Sequence, residues 1–381
     1  MAEAKRILIV AGEASGDIHA ASLVREIKKN SPSKIEFFGL GGENLRREEV
    51  NLYFDLTKIA VVGLFEVLRH FLTFKRVFDG ILKETERLKP QAAILVDYPG
   101  FNLRLAKELK KRGIPVIYYI SPQIWAWGKE RIYSIKNLVK HMLVVFDFEK
   151  ELYESFNVPV SFVGHPLLDS VKPTKLKENI LSELKLNKNT PILTLLPGSR
   201  KREVKSLLGV MLKSCCILNK DFPGLQVLIL RSPTVKEKIF FHILKKYPEV
   251  RAKIITGKNY DCLSVADFAL VASGTATLET GIIGTPMAIL YKISWLTWFY
   301  LSHAVKIPYI GLVNVVKRKK CVEEFIQHNA KPSLVASYVK EILSSPEKIS
   351  AIRTELSEIP SLLGKNGASQ RAARIIVDLI K

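Results

Sequence analysis

Several short stretches hold the residue types best suited to chemistry, and each follows an apolar run. Asp97 opens Asp97-Tyr98-Pro99-Gly100-Phe101-Asn102 directly after AAILV. A carboxylate at the end of a parallel strand lies where open α/β sheets bind ligands, and a general base would serve there. The same residue type also caps helices and forms turns. Gly12-Glu13-Ala14-Ser15-Gly16-Asp17 follows the first apolar run. It is neither a G-x-G-x-x-G fingerprint nor a P-loop, so it reads equally as a ligand loop or as a strand–helix turn capped by Asp17. Ser121-Pro122-Gln123-Ile124-Trp125-Ala126-Trp127 offers two indoles that could stack on a sugar or line an acyl pocket, although aromatics more often simply pack. Gly164-His165-Pro166 offers an imidazole for a phosphate, but a lone His before Pro is usually a hinge residue.

Two further loops point to a diphosphate. In Leu196-Pro197-Gly198-Ser199-Arg200, backbone N–H groups, the Ser199 hydroxyl and the Arg200 guanidinium can face one anion, and Arg matches phosphate oxygens with a two-pronged fork. In Ser273-Gly274-Thr275-Ala276-Thr277-Leu278-Glu279, small residues precede a helix start, where the dipole stabilises negative charge. Glu279, one turn inside, can accept from two ribose hydroxyls; ordinary first-turn acidity is its plainer role. Together these loops read as a nucleoside-diphosphate cradle with no metal triad.

The elements that must position these loops are legible as alternation. RILIVA, KIEFFGL, AAILV, PVIYYI, HMLVVF and PVSFVG read as buried parallel strands, with helix patterns such as 18–30, 101–112 and 129–139 between them. A polar stretch, Lys172 to Asn189, reads as a linker with one short helix. The rhythm restarts with PILTLLPGSR, LQVLIL, AKIIT, DFALVAS and PMAILY. The fold class is therefore α/β, with two Rossmann-like doubly wound domains. The expected divisions are 1–170, 171–345 and a helical end, 346–381, that crosses back onto the first domain or mediates a homodimer.

Composition narrows the partners. Of 381 residues, 58 are Lys or Arg and 37 are Asp or Glu, a net charge of +21. Residues 1–165 carry 25 basic and 20 acidic side chains, and residues 166–381 carry 33 and 17. The second half is the better holder of an anionic donor. With 48% hydrophobic residues the chain is not disordered. Cys215, Cys216, Cys262 and Cys321 form no C-x-x-C pair, which argues against a disulfide framework or a zinc site. The N-terminal apolar run is too short for a signal peptide, and a reducing cytoplasm is the simplest address. The most apolar stretch, 282–305, is broken by Pro286, Lys292 and His303 and reads as a strand and a helix rather than a span. Val61, Leu64, Phe65, Leu68, Phe71 and Leu72 share one helical face, widened by Phe74 and Phe78 and flanked by Arg69, Lys75 and Arg76. Periodicity alone favours burial in the protein's own core; the alternative is an interfacial helix against acyl chains and lipid phosphates.

Nine motifs in order resemble those of the lipid A disaccharide synthases, glycosyltransferases of the GT-B class: AGEASGD, GLGG, VVGLFEVL, DYPGFN, SPQIWAW, VGHPLLD, LPGSR, ASGTATLE and PYIGLVN. The resemblance covers nearly the whole chain. It implies two Rossmann-like domains facing across a cleft, and a donor, UDP-2,3-diacylglucosamine. The implied acceptor is 2,3-diacylglucosamine 1-phosphate, and the product a β-1,6-linked disaccharide 1-phosphate of lipid A synthesis in Gram-negative bacteria. The implied address is peripheral, on the cytoplasmic face of the inner membrane, with the anionic membrane surface as partner and neither nucleic acid, cofactor nor metal.

An α-linked donor and a β product imply inversion at the anomeric carbon. Asp97 is the expected base, and His19 is the runner-up by its likeness to the base of related GT-B transferases. Gly198, Ser199, Arg200, Ser273, Gly274, Thr275, Ala276, Thr277, Glu279 and, by carry-over, Asn314 would hold UDP. Glu13, Ser15, Gly16, Asp17, Gln123 and Trp125 would line the acceptor side. The chain departs from the family pattern after Asn314: Val315-Val316-Lys317-Arg318-Lys319-Lys320 intervenes and Glu323-Glu324 replaces Pro-Glu, leaving Lys319 as the stand-in for the usual Arg. Rival readings are another UDP-sugar GT-B protein, either a lipid-linked muropeptide transferase or a UDP-N-acetylglucosamine 2-epimerase, and a non-catalytic basic protein that coats membranes.

Overall fold

Apolar runs bounded by turns become strands, and every strand pairing among the described residues is parallel. The computed structural model describes residues 5–58, 71–293 and 308–380. One sheet contains β1 (Lys5–Ala11), β2 (Ile35–Gly41), β3 (Asn51–Asp55), β4 (Ala92–Val96), β5 (Val116–Tyr119), β6 (His141–Val144) and β7 (Val160–Phe162), in the order β3-β2-β1-β4-β5-β6-β7. The other contains β8 (Ile192–Leu196), β9 (Gln226–Leu230), β10 (Ala252–Ile255), β11 (Phe268–Ala272), β12 (Met287–Tyr291) and β13 (Glu323–Ile326), in the order β10-β9-β8-β11-β12-β13. β4, β8 and β11 are buried at every position, as expected of central parallel strands covered by helices on both faces.

In each sheet the strand order reverses once, between β1 and β4 and between β8 and β11. Such a reversal opens a crevice beyond the carboxyl ends of the strands, because the crossover helices leave to opposite faces. The first sheet's register sets Ile9 between Gly39 and Ile94, and its core packs Leu8, Leu40, Ile81, Leu95, Leu105 and Tyr118 together.

The chain forms two compact units, Met1–Asp169 with Leu363–Lys381, and Ser170–Leu362. The helices Pro332–Leu343, Pro346–Ser357 and Ile359–Leu362 stay with the second unit. The crossing back is made by the last helix, Ala368–Leu379, which packs on Ala14–Asn30 through a stripe that includes Ala372, Ala373 and Ile376. In the expected linker the short helix is Lys177–Glu183.

Of the amphipathic pattern, Val61, Leu64, Phe65 and Leu68 lie outside the described residues. The helix Phe71–Leu88 carries its end. There Phe74 and Phe78 pack against the protein's own core, Phe78 edge-on to Phe101 at 5.4 Å between ring centres. Leu72 is 68% exposed. No helix of the described residues is long and apolar enough to cross a membrane.

Candidate active site

In the first unit, the loops after β1 and β4 stand side by side at the switch point, because those strands are paired neighbours. Asp97 and Tyr98 both adopt left-handed backbone, with φ of 46° and 49°. Two consecutive non-glycine residues there are costly and persist only where the surroundings dictate them. Here the Asp97 N–H donates to the Tyr119 carbonyl at 3.0 Å. The Asp97 carbonyl accepts from Tyr118 Oη at 2.6 Å and from Asn102 Nδ2 at 2.7 Å. Gly12 clears the space beside them: a Cβ at that position would stand 2.1 Å from the Tyr98 ring. Burial, and next the negative charge of Glu13, raise the Asp97 carboxyl to about 6. At pH 7 such a carboxyl is mostly ionised and chemically able to accept a proton.

His19 lies on the helix Ala14–Asn30. Burial lowers its imidazole to about 4, and burial plus the nearby His19 lower His165 to about 3, so both rings are neutral at pH 7. His165 Nδ1 accepts from the Leu167 N–H at 3.2 Å, a bond that fits the bend before Pro166. Ser15 is exposed and Glu13 partly so, whereas Gly16 and Asp17 are buried.

Asp17 has a different job from the acceptor contact expected of it. At 2% exposure its carboxylate accepts from the backbone N–H groups of Gly42, Asn44 and Leu45 and from Asn44 Nδ2, at 2.6 to 3.3 Å. It caps the helix Glu43–Arg47, not its own. This also gives the GLGG loop a function that its sequence did not disclose. In the loop after β5, Gln123 is exposed and Trp125 half-buried. Trp125 Nε1 donates to Glu149 Oε1 at 3.2 Å.

In the second unit, the loops after β8 and β11 are likewise neighbours at the switch point. Gly198 has φ of 112°, and a Cβ there would stand 2.4 Å from Glu203 Oε2. Glu203 is the residue that sequence reasoning missed. Its carboxylate accepts from the N–H groups of Ser199 and Arg200, at 3.0 and 3.2 Å, and from Arg200 Nη1 at 3.1 Å. The donors expected to face a phosphate thus already hold an anion, the protein's own. The signal was there: Glu three residues after the cap position is a capping-box pattern. The Ser199 carbonyl accepts from Thr234 Oγ1 at 2.6 Å.

Gly274, with φ of 144°, is the cap residue of the helix Thr275–Ile283 and supplies no side-chain bond to its start. The amides of Thr275 and Ala276 head that helix. Ser273 Oγ donates to the Ile310 carbonyl at 3.0 Å, and buried Thr277 donates to the Gly274 carbonyl at 2.8 Å; these two hydroxyls shape the loop. Burial raises the Glu279 carboxyl, against the pull of the Tyr260 hydroxyl 3.3 Å away.

Asn314 does not fit the carried-over role. It is wholly buried, donates to the Val322 carbonyl and Glu324 Oε1, and accepts from the N–H groups of Cys321 and Val322. Both polar atoms of its side chain are used in fastening the helix Leu312–Lys317 to Cys321, Val322 and Glu324, the approach to β13 and its second residue. Glu324 also accepts from the N–H groups of Ile310 and Gly311, at that helix's start. Lys319, the stand-in for the usual Arg, pairs with Glu355 at 2.8 Å.

The profile of the Lipid-A-disaccharide synthetase family matches residues 7–376. The chain belongs to the lipid-A-disaccharide synthase family. A lipid-A-disaccharide synthase of Syntrophus aciditrophicus (strain SB) is 44% identical over 377 residues, covering 99% of this chain and 98% of that protein. Lipid-A-disaccharide synthase 1 of Legionella pneumophila (strain Lens) is 40% identical over 372 residues, covering 97% and 96%. Among solved structures, the S. aureus MnaA–UDP co-structure has a TM-score of 0.69 at 13% identity, covering 98% of this chain and 96% of that one. A glycosyltransferase from Rickettsia africae ESF-5 has a TM-score of 0.61 at 12% identity, covering 100% and 99%. These two likenesses establish the shared GT-B fold, and family membership makes the chain a glycosyltransferase of lipid A biosynthesis.

Proposed function

We propose that the chain joins UDP-2,3-diacylglucosamine to 2,3-diacylglucosamine 1-phosphate in one in-line displacement with inversion, and that Asp97 is the base. The acceptor's 6-oxygen attacks the donor's anomeric carbon, the bond from that carbon to the β-phosphate oxygen breaks, and the 6-hydroxyl proton passes to Asp97. The leaving UDP takes the electron pair. Its charge is met by Arg200 and by the amides heading the helix Thr275–Ile283, which act most strongly where water is scarce.

The observation that carries this reading is the raised, strained Asp97 at the switch point of the first sheet, in a chain of this family. His19, neutral at pH 7, remains the second candidate for the base. Acylated substrates and a net charge of +21 support action at an anionic membrane surface, with the cytoplasmic side as the proposed address.

Mass spectrometry of the product from the two purified substrates tests the reaction and separates it from 2-epimerisation. Asp97→Asn is expected to lose about 100-fold or more in kcat, the usual worth of a general base, while UDP still binds. Near-normal turnover by that variant would remove Asp97 from the role.

A further inference from the structure

We propose that Glu149 is a positioning residue whose carboxyl sets the seat of Trp125 and, through it, an aromatic wall that receives the acceptor sugar. The proposal rests on the transferase reading above for what the wall binds, but not for how it is built.

Glu149 lies in the first turn of the helix Asp147–Ser155. An acid there is ordinarily turned to solvent, where the helix dipole favours its charge. Glu149 is instead 1% exposed. Its Oε1 accepts from Ser121 Oγ at 2.7 Å and from Trp125 Nε1 at 3.2 Å, and its Oε2 is buried without a hydrogen bond. Burial raises the carboxyl to about 7, more than the Ser121 and Trp125 side chains and the backbone at Phe146 and Val145 lower it. Tyr153, one turn further on, comes close to the same Glu149 carboxyl and Ser121 hydroxyl. The carboxyl also lies against the backbone at Val145 and Phe146, the residue that caps this helix, and so serves the helix start; that role alone does not call for the Ser121 and Trp125 bonds, and interior packing would be better served by an apolar side chain.

What Glu149 does achieve is to fix the one polar atom of the Trp125 indole. That sets the ring plane in a loop, Ser121–Trp127, made of turns rather than regular structure. Trp125 then meets Phe148 edge-on at 5.4 Å, Phe148 stacks on Phe146 at 5.2 Å and 9°, and Phe146 meets His165 at 5.2 Å. The row runs along the carboxyl ends of β5 and β6, where ligands of such sheets bind, and Trp125 and Phe148 are its partly exposed members. Neither Phe146 nor Phe148 was singled out in the sequence, since each looks like an ordinary core residue following a strand.

The test reads structure and kinetics separately. The Trp125 indole N–H resonance in ¹⁵N-labelled full-length protein is assigned with Trp125→Phe. Glu149→Ala is expected to move that resonance to the position of a solvent-bonded indole, and to raise the acceptor KM about tenfold with kcat changed less than threefold. Glu149→Gln keeps the size of the side chain and an oxygen acceptor, so it is expected to retain the resonance and hold KM within threefold of wild type. An unmoved resonance in Glu149→Ala, or a loss in kcat with unchanged KM, overturns the proposal. If Glu149→Ala does not fold, Glu149→Gln and Trp125→Phe decide: the proposal fails if Gln displaces the resonance or if Trp125→Phe leaves KM unaltered. A wild-type protein that forms no disaccharide would defeat the transferase reading, while the indole signal would still judge Glu149.

Discussion

A carboxyl raised to about 6 acts as a base over only part of the pH range, and this gives Asp97 a signature that His19 lacks. Only the carboxylate accepts a proton. As pH falls through about 6, Asp97 becomes protonated and kcat/KM should fall with it. Were His19 the base, the same limb would lie near 4. Glu13 is the second cause of the Asp97 shift, so Glu13→Gln should move the limb to lower pH, and a pH–rate profile of both proteins measures it. At the other loop, Glu203 competes with any phosphate for the Ser199 and Arg200 donors. Glu203→Gln removes that competing charge. It should tighten UDP binding about fivefold, equivalent to ~1 kcal/mol, as read by calorimetric titration; weaker binding would mean that Glu203 organises the loop for the ligand. Both residues show what composition can and cannot disclose. The strand-end position of Asp97 is a sequence feature. The pairing of Arg200 with Glu203 is a local capping-box pattern and could have been read, whereas the inward turn of Asn314 depends on Cys321, Val322 and Glu324, which its motif does not contain.

At the scale of elements, the runs read as strands became β1, β2, β4 to β7 and β8 to β12, because a fully buried parallel strand must be apolar on both faces. The two strands that escaped notice are β3, NLYFD, and β13, EEFI. Both lie at sheet edges, where one side is unpaired and charged or half-exposed residues are tolerated; neither carries the continuous apolar run that marks a central strand. The role of Asp17 was illegible for a related reason, since its partners stand 25 to 28 residues away. Asp17→Ala leaves the Gly42, Asn44 and Leu45 amides without their acceptor. It should cost about 1–3 kcal/mol, visible as a lowered thermal midpoint and as faster hydrogen exchange at those amides. Gly12→Ala, which drives a methyl into the Tyr98 ring, should cost a similar ~1–3 kcal/mol and also shift the Asp97 pH limb, because Tyr98 and Asp97 share one strained turn.

At the scale of the whole chain, alternation of short apolar runs and helical patterns suffices to announce two doubly wound sheets, since each βαβ unit is local in sequence. What it cannot announce is which unit the last residues join, because that choice is made by surfaces hundreds of residues apart. The structure shows how the choice is made. The His165 N–H donates to the Leu363 carbonyl at 2.9 Å, and the Gly367 N–H to Asp169 Oδ1 at 2.7 Å. Arg371 gathers the carbonyls of Val163, Asn366 and Lys365. The last helix then lays buried Ala372, Ala373, Ile376 and Val377 toward the first unit, and Lys5 and Lys140 close on the carbonyls of Ile380 and Leu379. Removing residues 367–381 would uncover the apolar side of Ala14–Asn30, the helix that carries His19 and follows the Gly12–Asp17 loop. A truncated chain should therefore lose the stability of the first unit while the second unit, which contains none of these contacts, keeps its fold and its UDP affinity. Limited proteolysis with mass mapping separates the two outcomes: cuts should appear first within 5–58. Uniform resistance across both units would mean that the returning helix is dispensable. Arg371→Ala should give a milder version of the same pattern, since it loosens the carbonyl cluster and leaves the helix interface intact.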